Sequence, residues 1–373
     1  MGLYVHVPFC GSICSYCHFA RTADHSADLR AAFVDGVLAE LDLRRAACGL
    51  LTDGRRRAET VYFGGGTPSE LGADLMTRLL TGLRTRVPLT AEAEITAEAN
   101  PESFTPAVAQ AWRKAGINRI SLGVQSLHGP ALQELGRACD PATARRGLAL
   151  ACEHFERVSA DWILGPALDE DRLRAELDEA VDLGVSHFSL YLLEVHAGTQ
   201  LAADLAAGRR VMPPDAHLER LYLAMGDHLA GRGIVQYEVA NFARPGQESR
   251  HNGNYWRRRP WLGLGPSAHG GWGPRRYHNH PDVGDWLAAV TAGRLPEAEV
   301  DPLDVTARRL ERAILALRTC GGLPLAWLPE GLPGLTQGQD EGLWRVENGH
   351  LRLTGPGFLR IDTLEALIAR HLD

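Results

Sequence analysis

The sequence predicts an α/β fold: an incomplete (β/α)6 barrel followed by a small winged-helix-like appendage. Three observations predict it. Short apolar runs alternate with longer amphipathic stretches through the first half of the chain, and crossovers of that length mean parallel strands joined by helices. The alternation repeats six times, short of the eight units of a closed barrel. Chemically unusual residues recur just after the apolar runs, at the carboxyl ends of strands where barrel enzymes place their chemistry.

Strands are expected at residues 3–8, 59–63, 92–98, 118–124, 158–163 and 187–193, with helices at 29–48, 71–87, 106–115, 141–154 and 171–183. Composition shifts near Val211-Met-Pro-Pro-Asp215. Beyond it a helix at 216–231 and a strand at 234–241 lead into a long aromatic and polar loop. A loop that long inside a compact protein is usually functional. The tail has an apolar helix face at 307–317, a loop rich in glycine and proline, alternation at 343–353 and a last helix at 361–372. Helix, hairpin and helix read as the winged-helix-like module. The expected division is 1–210 for the barrel, 211–300 for a connecting region and 301–373 for the appendage.

The chain has 373 residues, 45% hydrophobic and 23% charged, as in soluble globular proteins. A net charge of −7 argues against nucleic acid as an electrostatic partner. Lys114 is the sole lysine, and the tail is not notably basic. No apolar run reaches membrane-spanning length and no leader is recognised before the first strand, so the expected location is cytoplasmic, with peripheral membrane contact left open. Of seven cysteines, Cys48, Cys139, Cys152 and Cys320 are scattered as free thiols would be.

The other three stand together. Cys10, Cys14 and Cys17 lie at C-x3-C-x2-C spacing in one short loop after the first apolar run. Thiolates are soft ligands that suit iron–sulfur clusters, zinc or Cu(I). A cubane cluster normally takes four cysteines, so three leave one iron open to a small chelating molecule. The competing readings are a zinc site, with His18 as fourth ligand, or ordinary thiols.

After the second run comes Gly64-Gly65-Gly66-Thr67-Pro68; the third ends in Glu98-Ala-Asn100. The fourth runs into Gly123-Val-Gln125-Ser126, with Leu135-Gly136-Arg137 following; the fifth carries Asp161, and the sixth Tyr191 and Glu194. Each residue singly has an ordinary structural explanation, but their register at six consecutive strand ends points to one cavity. The long loop holds His251-Asn252-Gly253-Asn254-Tyr255-Trp256 and Arg257-Arg258-Arg259. The aromatics and histidines argue for an ordered, functional loop, and guanidinium pairs with carboxylate. The plainer reading is a structural histidine and a solvated arginine run. Arg55-Arg56-Arg57 reads as a surface loop.

Cys-x3-Cys-x-Tyr-Cys resembles the signature of the radical S-adenosylmethionine (SAM) superfamily. With Leu3-Tyr4-Val5-His6-Val7-Pro8-Phe9-Cys10, Phe63-Gly64-Gly65-Gly66-Thr67-Pro68 and Gly123-Val124-Gln125-Ser126, nearly the whole chain resembles its coproporphyrinogen dehydrogenase-like branch. The resemblance implies a [4Fe–4S] cluster on Cys10, Cys14 and Cys17, and SAM held by Tyr4, Gly64, Gly65, Gly66, Thr67, Glu98, Gln125, Arg137 and Asp161. Within the branch, the dehydrogenases (HemN type) have a fourth cysteine where this chain has Phe19, and an N-terminal extension before the first strand. The haem-chaperone subfamily (HemW type) has an aromatic there and the His-Asn-x-x-Tyr-Trp motif that His251 to Trp256 matches.

The resemblance therefore implies haem binding, with His251 as axial ligand, and transfer to acceptor proteins. Oxidative decarboxylation of coproporphyrinogen III, or another radical SAM reaction such as methylation, is the alternative. Two departures touch the expected SAM pocket: Gly165-Pro166-Ala167 for Gly-Leu-Pro, and Cys139 where a histidine usually follows Gly-Arg.

Overall fold

The computed structural model describes residues 1–47, 56–165, 167–328 and 335–372; Cys48, Arg55, Pro166 and part of the glycine- and proline-rich tail loop lie outside the described residues. The first half alternates as expected. Strands β1 (Gly2–Val7), β2 (Ala58–Gly65), β3 (Leu89–Ala99), β4 (Arg119–Gln125), β5 (Val158–Leu164) and β6 (His187–Leu192) are parallel and adjacent in chain order. Helices α1 (Ala27–Ala47), α2 (Gly72–Arg86), α3 (Pro106–Ala115), α4 (Gly129–Glu134), α5 (Pro141–His154) and α6 (Glu170–Leu183) lie between them. The sheet curves into a partial barrel.

Local chemistry sets the helix ends. Thr105 accepts a hydrogen bond from Val108 N to start α3, and Pro106 fits its first turn; Asp140 and Asp169 start α5 and α6 in the same way. The helices bury an apolar stripe on strands apolar on both faces, leaving Trp112, Trp162 and Phe188 fully inaccessible.

The 211–300 stretch, expected as a connector with an irregular loop, is part of the same sheet. After α7 (Gln200–Ala206) and α8 (Asp215–Gly231), short strands β7 (Val235–Gln236) and β8 (Asn241–Ala243) pair antiparallel beyond β6. Then α9 (Arg250–Trp256) is followed by β9 (Trp261–Leu264), β10 (His269–Trp272), β11 (Arg275–Asn279), α10 (Val283–Thr291) and β12 (Glu297–Pro302). Strand β9 joins parallel to β1, and the rest continue outward to make a sheet of twelve strands. Glycine-rich strands of four residues and a helix of seven carry too little periodicity to read as elements.

A buried polar cluster fastens this extension to the barrel. Arg44 on α1 donates to Glu40 Oε1 at 2.8 Å, Asn279 Oδ1 at 2.8 Å and Glu297 Oε1 at 2.9 Å. Glu40 Oε2 accepts from Gly265 N at 2.8 Å and Trp286 Nε1 at 2.9 Å. Within the arginine triplet, Arg258 pairs with Glu311 on a largely covered surface, while Arg259 pairs with Glu59 in solvent.

The tail has its own core. Helix α11 (Val305–Leu317), β13 (Leu323–Pro324), α12 (Leu335–Asp340), the hairpin β14 (Trp344–Glu347) and β15 (His350–Leu353), α13 (Gly355–Phe358) and α14 (Ile361–Leu372) form a helix-and-hairpin module around Leu317, Leu351 and Ile368. No described helix is long and apolar enough to cross a membrane.

Candidate functional site

The cysteine loop leaves β1 at Pro8. Phe9, fully buried, packs edge-on against Phe33 of α1 at 5.4 Å, fixing where the loop starts. Its two ends are tied together: Thr22 N donates to Pro8 O at 2.7 Å and Cys10 N to Thr22 O at 3.3 Å. Burial holds His6 neutral, its pKa lowered to about 4. Its Nε2 contacts Ala20 O at 2.8 Å and its Nδ1 contacts Tyr4 Oη at 3.2 Å. A carbonyl only accepts, so Nε2 carries the proton and Nδ1 receives the tyrosine hydroxyl.

The glycine triplet lets this loop close. A Cβ on Gly65, whose φ is +107°, would sit 2.6 Å from the His6 ring; one on Gly66 would sit 2.7 Å from Phe9 O and 2.8 Å from Val7 O. The exit of β2 therefore runs directly against the backbone that carries Cys10. Thr67 Oγ1 lies 3.6 Å from Cys10 Sγ and accepts from Asn100 Nδ2 at 3.2 Å.

A cavity of about 650 Å³ opens at this end of the barrel, and Cys10, Cys14 and Cys17 all line it. So do Gly65, Gly66, Thr67, Glu98, Gln125, Arg137 and Asp161. Tyr4 and Gly64, expected among them, stand behind the wall: Tyr4 stacks on Tyr62, and a Cβ on Gly64 would meet Tyr62 and Glu98. Tyr16 and Asn100 take part of the wall instead. Phe358, Leu359, Ile361 and Asp362 of the tail module also face the cavity, so the appendage contributes to its wall.

The charges are arranged for a zwitterionic guest. Glu98 accepts from Tyr62 Oη at 2.7 Å and Gly65 N at 3.1 Å, yet burial pushes its carboxyl up to about 7. Burial raises Asp161 too, against the Ser121 hydroxyl 3.4 Å away. Arg137 reaches Cys14 Sγ at 3.6 Å and Gly123 O at 2.9 Å from a side chain only 4% exposed. Gln125 has φ +68°, an uncommon conformation for a side chain this size, and its Oε1 is buried without a partner. The turn that holds it is pinned by Glu176, which accepts from Ser126 Oγ at 3.0 Å, Leu127 N at 2.8 Å and Trp162 Nε1 at 2.9 Å. An unpaired acceptor, a carboxyl favouring a nearby cation and a buried guanidinium suit the amino and carboxylate groups of an amino-acid ligand.

Among the described residues no three His, Cys, Asp or Glu side chains converge closely enough to hold a single metal ion. A cubane spreads its irons, so its thiolates need not converge on one point. The sequence signals missed His6, because a lone histidine within an apolar strand reads as core.

His251 is elsewhere. On α9, under the opposite end of the barrel, it is 1% exposed. Its Nδ1 lies 2.8 Å from Thr60 Oγ1 and its Nε2 2.8 Å from Tyr255 Oη, while its backbone N donates to Glu94 Oε1 at 3.0 Å. Asn254 Nδ2 donates to the same Thr60 hydroxyl at 2.9 Å. Both ring nitrogens are engaged, so the expected axial ligation finds no free donor; the histidine plugs the barrel floor. Trp256, Arg257 and Arg258 face a second cavity of about 1100 Å³ on that side.

The radical SAM superfamily domain model matches residues 4–180. A relative named haem chaperone HemW, from Mycobacterium tuberculosis, is 37% identical, over 97% of this chain and 93% of its own. Another of that name, from Escherichia coli, is 35% identical over 72% of this chain and 70% of its own. Among solved structures, coproporphyrinogen III oxidase (HemN) from Escherichia coli matches with a TM-score of 0.80 at 22% identity, covering 100% of this chain and 89% of that one. At that identity it speaks for the fold alone.

Proposed function

Because this chain belongs to the HemW haem chaperone family of the radical SAM superfamily, we propose that it binds haem and passes it to acceptor proteins, with a [4Fe–4S] cluster and SAM in the barrel mouth. Support for the cofactors comes from one observation: three cysteines, Glu98, Gln125, Arg137 and Asp161 share a single cavity wall. In this reading Cys10, Cys14 and Cys17 hold the cluster. Glu98 takes the amino group of SAM, Arg137 faces its carboxylate, and Gln125 and Asp161 meet the remaining polar groups. Cys10, Cys14 and Cys17 would hold the cluster and the cavity wall would position SAM beside it; the chemistry such a cluster would supply when bound and reduced is an electron for the sulfonium. Burial pushes the Cys10 thiol up, the Thr67 hydroxyl beside it opposes that rise, and the Arg137 guanidinium stands 3.6 Å from Cys14 Sγ. Phe358, Leu359 and Ile361 of the tail module add apolar wall to the same cavity.

The coproporphyrinogen dehydrogenase alternative has the fold in its favour and Phe19 against it. A phenyl ring offers neither a ligand nor a redox-active thiol at that place. The division into 1–210, 211–300 and 301–373 serves as a functional map, although the first two parts share one sheet. The deciding experiment gives the anaerobically reconstituted chain haem and an apo-acceptor in one assay and coproporphyrinogen III in another. Haem binding and transfer without porphyrinogen turnover is the expected result.

A further inference from the structure

The mouth of the SAM cavity carries a histidine pair that no motif announces. His18, next to Cys17, lies against His196 on the segment after β6, with ring centroids 3.7 Å apart and planes at 36°. Both line the cavity. Large apolar side chains nearby face solvent: Ile13 and Phe19 in the cysteine loop are 53% and 55% exposed, and Tyr191 and Val195 are 45% each. Apolar surface gathered at a cavity rim marks a binding site. His196 Nε2 lies 3.3 Å from Glu194 Oε2. A carboxylate on one ring nitrogen fixes the tautomer, leaves Nδ1 bare and makes it a stronger metal donor. Arg21 completes the rim: its Nη1 donates to Phe19 O at 2.7 Å, its Nε is buried without a partner, and no described carboxylate pairs with it.

We propose that His196 is the haem-iron ligand of this chain, at the barrel mouth beside the cysteine loop. This rests on the haem-chaperone reading. A haem needs a nitrogen donor, apolar surface for its ring and a cation for its propionates; His196, the rim of Phe19 and Tyr191, and Arg21 supply the three. The porphyrin brings four nitrogens of its own, so one protein ligand suffices where no three-ligand ion site exists among the described residues. Two imidazoles stacked this closely cannot bracket one iron. His18 therefore acts as a stacking partner, and iron held through a single half-buried ligand is easily surrendered. The larger cavity on the barrel floor is a poorer host. Its wall carries arginines and two tryptophans but no His, Cys or Met, and its Tyr237 hydroxyl is already engaged by His187 and Ser249 N.

The test is a haem titration of the reconstituted full chain, following the Soret band, for wild type, His196→Ala, His196→Gln and His251→Ala. Both His196 variants should shift the band and weaken binding by more than about tenfold, as loss of metal-site groups typically does. Free imidazole should restore the wild-type band. His251→Ala, if folded, should keep it. Cluster iron and circular dichroism report the fold, and the glutamine variant retains a polar side chain of similar size should alanine disturb the loop. A folded His196 variant with wild-type band and affinity overturns the proposal while leaving haem binding itself intact. Wild type that takes up no haem overturns the chaperone reading instead.

Discussion

Tyr62 and Glu98 meet on neighbouring parallel strands, the tyrosine hydroxyl donating to the carboxylate at 2.7 Å. Burial nonetheless leaves that carboxyl with a pKa of about 7 against an ordinary 4.5, with Asp161 adding to the rise. A group whose folded pKa is raised in this way holds its proton longer in the folded state. Stability of the ligand-free chain from this group is thus fully present below about 4.5 and lost as pH rises towards 7. Binding of a cationic amino group runs the other way. SAM affinity should climb as pH passes 7, and Glu98→Gln should flatten that slope and weaken binding by about tenfold. Calorimetry between pH 6 and pH 8, values chosen to bracket about 7, checks both.

Replacing Cys10, Cys14 or Cys17 by alanine should abolish cluster assembly, because these are the three thiols on the wall among the described residues. Iron and sulfide analysis with electron paramagnetic resonance reads the outcome. Stoichiometric zinc in place of iron in the wild type would contradict it.

Gly66→Ala should lose iron almost as completely, although it removes no ligand. The added methyl meets Phe9 O and Val7 O, backbone atoms that move only if the cysteine loop moves. Thermal stability should fall by roughly 1–3 kcal/mol, the range for overpacking. Wild-type iron content in the purified variant would show that the loop tolerates the displacement.

The buried pair on α1 makes a prediction about stability alone. Arg44→Met leaves Glu40 with less compensation inside the core and should cost about 3–5 kcal/mol, whereas Glu40→Leu with Arg44→Met should cost less than the two single changes summed. Urea unfolding of the four forms measures this.

Protoporphyrinogen formation from coproporphyrinogen III should be absent, since Phe19 stands where a fourth cysteine would be required. Turnover at a catalytic rate would return the dehydrogenase reading. Phe19→Cys should not create activity by itself.

Much of the barrel was legible because its elements are long and locally consistent: Pro106 after Thr105 and Pro141 after Asp140 announce helix starts without help from packing. Seven of the nine expected SAM residues reached the wall because a strand end fixes where a residue points. Three features were hidden. Gln125 shows its positive φ only in the fold. Tyr4 and His251 carry motif signals, yet both are spent inside the protein, on His6 and on Thr60 with Tyr255. His18 stands beside the cysteine motif, but His196 belongs to no local pattern, and the two become neighbours only through the closing of the sheet.

The cavity wall also has a timetable. Its cysteines leave the ribosome about 340 residues before Phe358 to Asp362, the part of the wall from the tail module. At roughly 5–20 residues per second that is an interval of roughly 20–70 s in which the barrel can form while its mouth stands open. A bulky inorganic guest meets no obstruction from the tail during that interval. Afterwards the tail residues, carried by a module with its own packed core, complete the wall. The last part of the wall is therefore added to a barrel that has had time to close its cysteine loop.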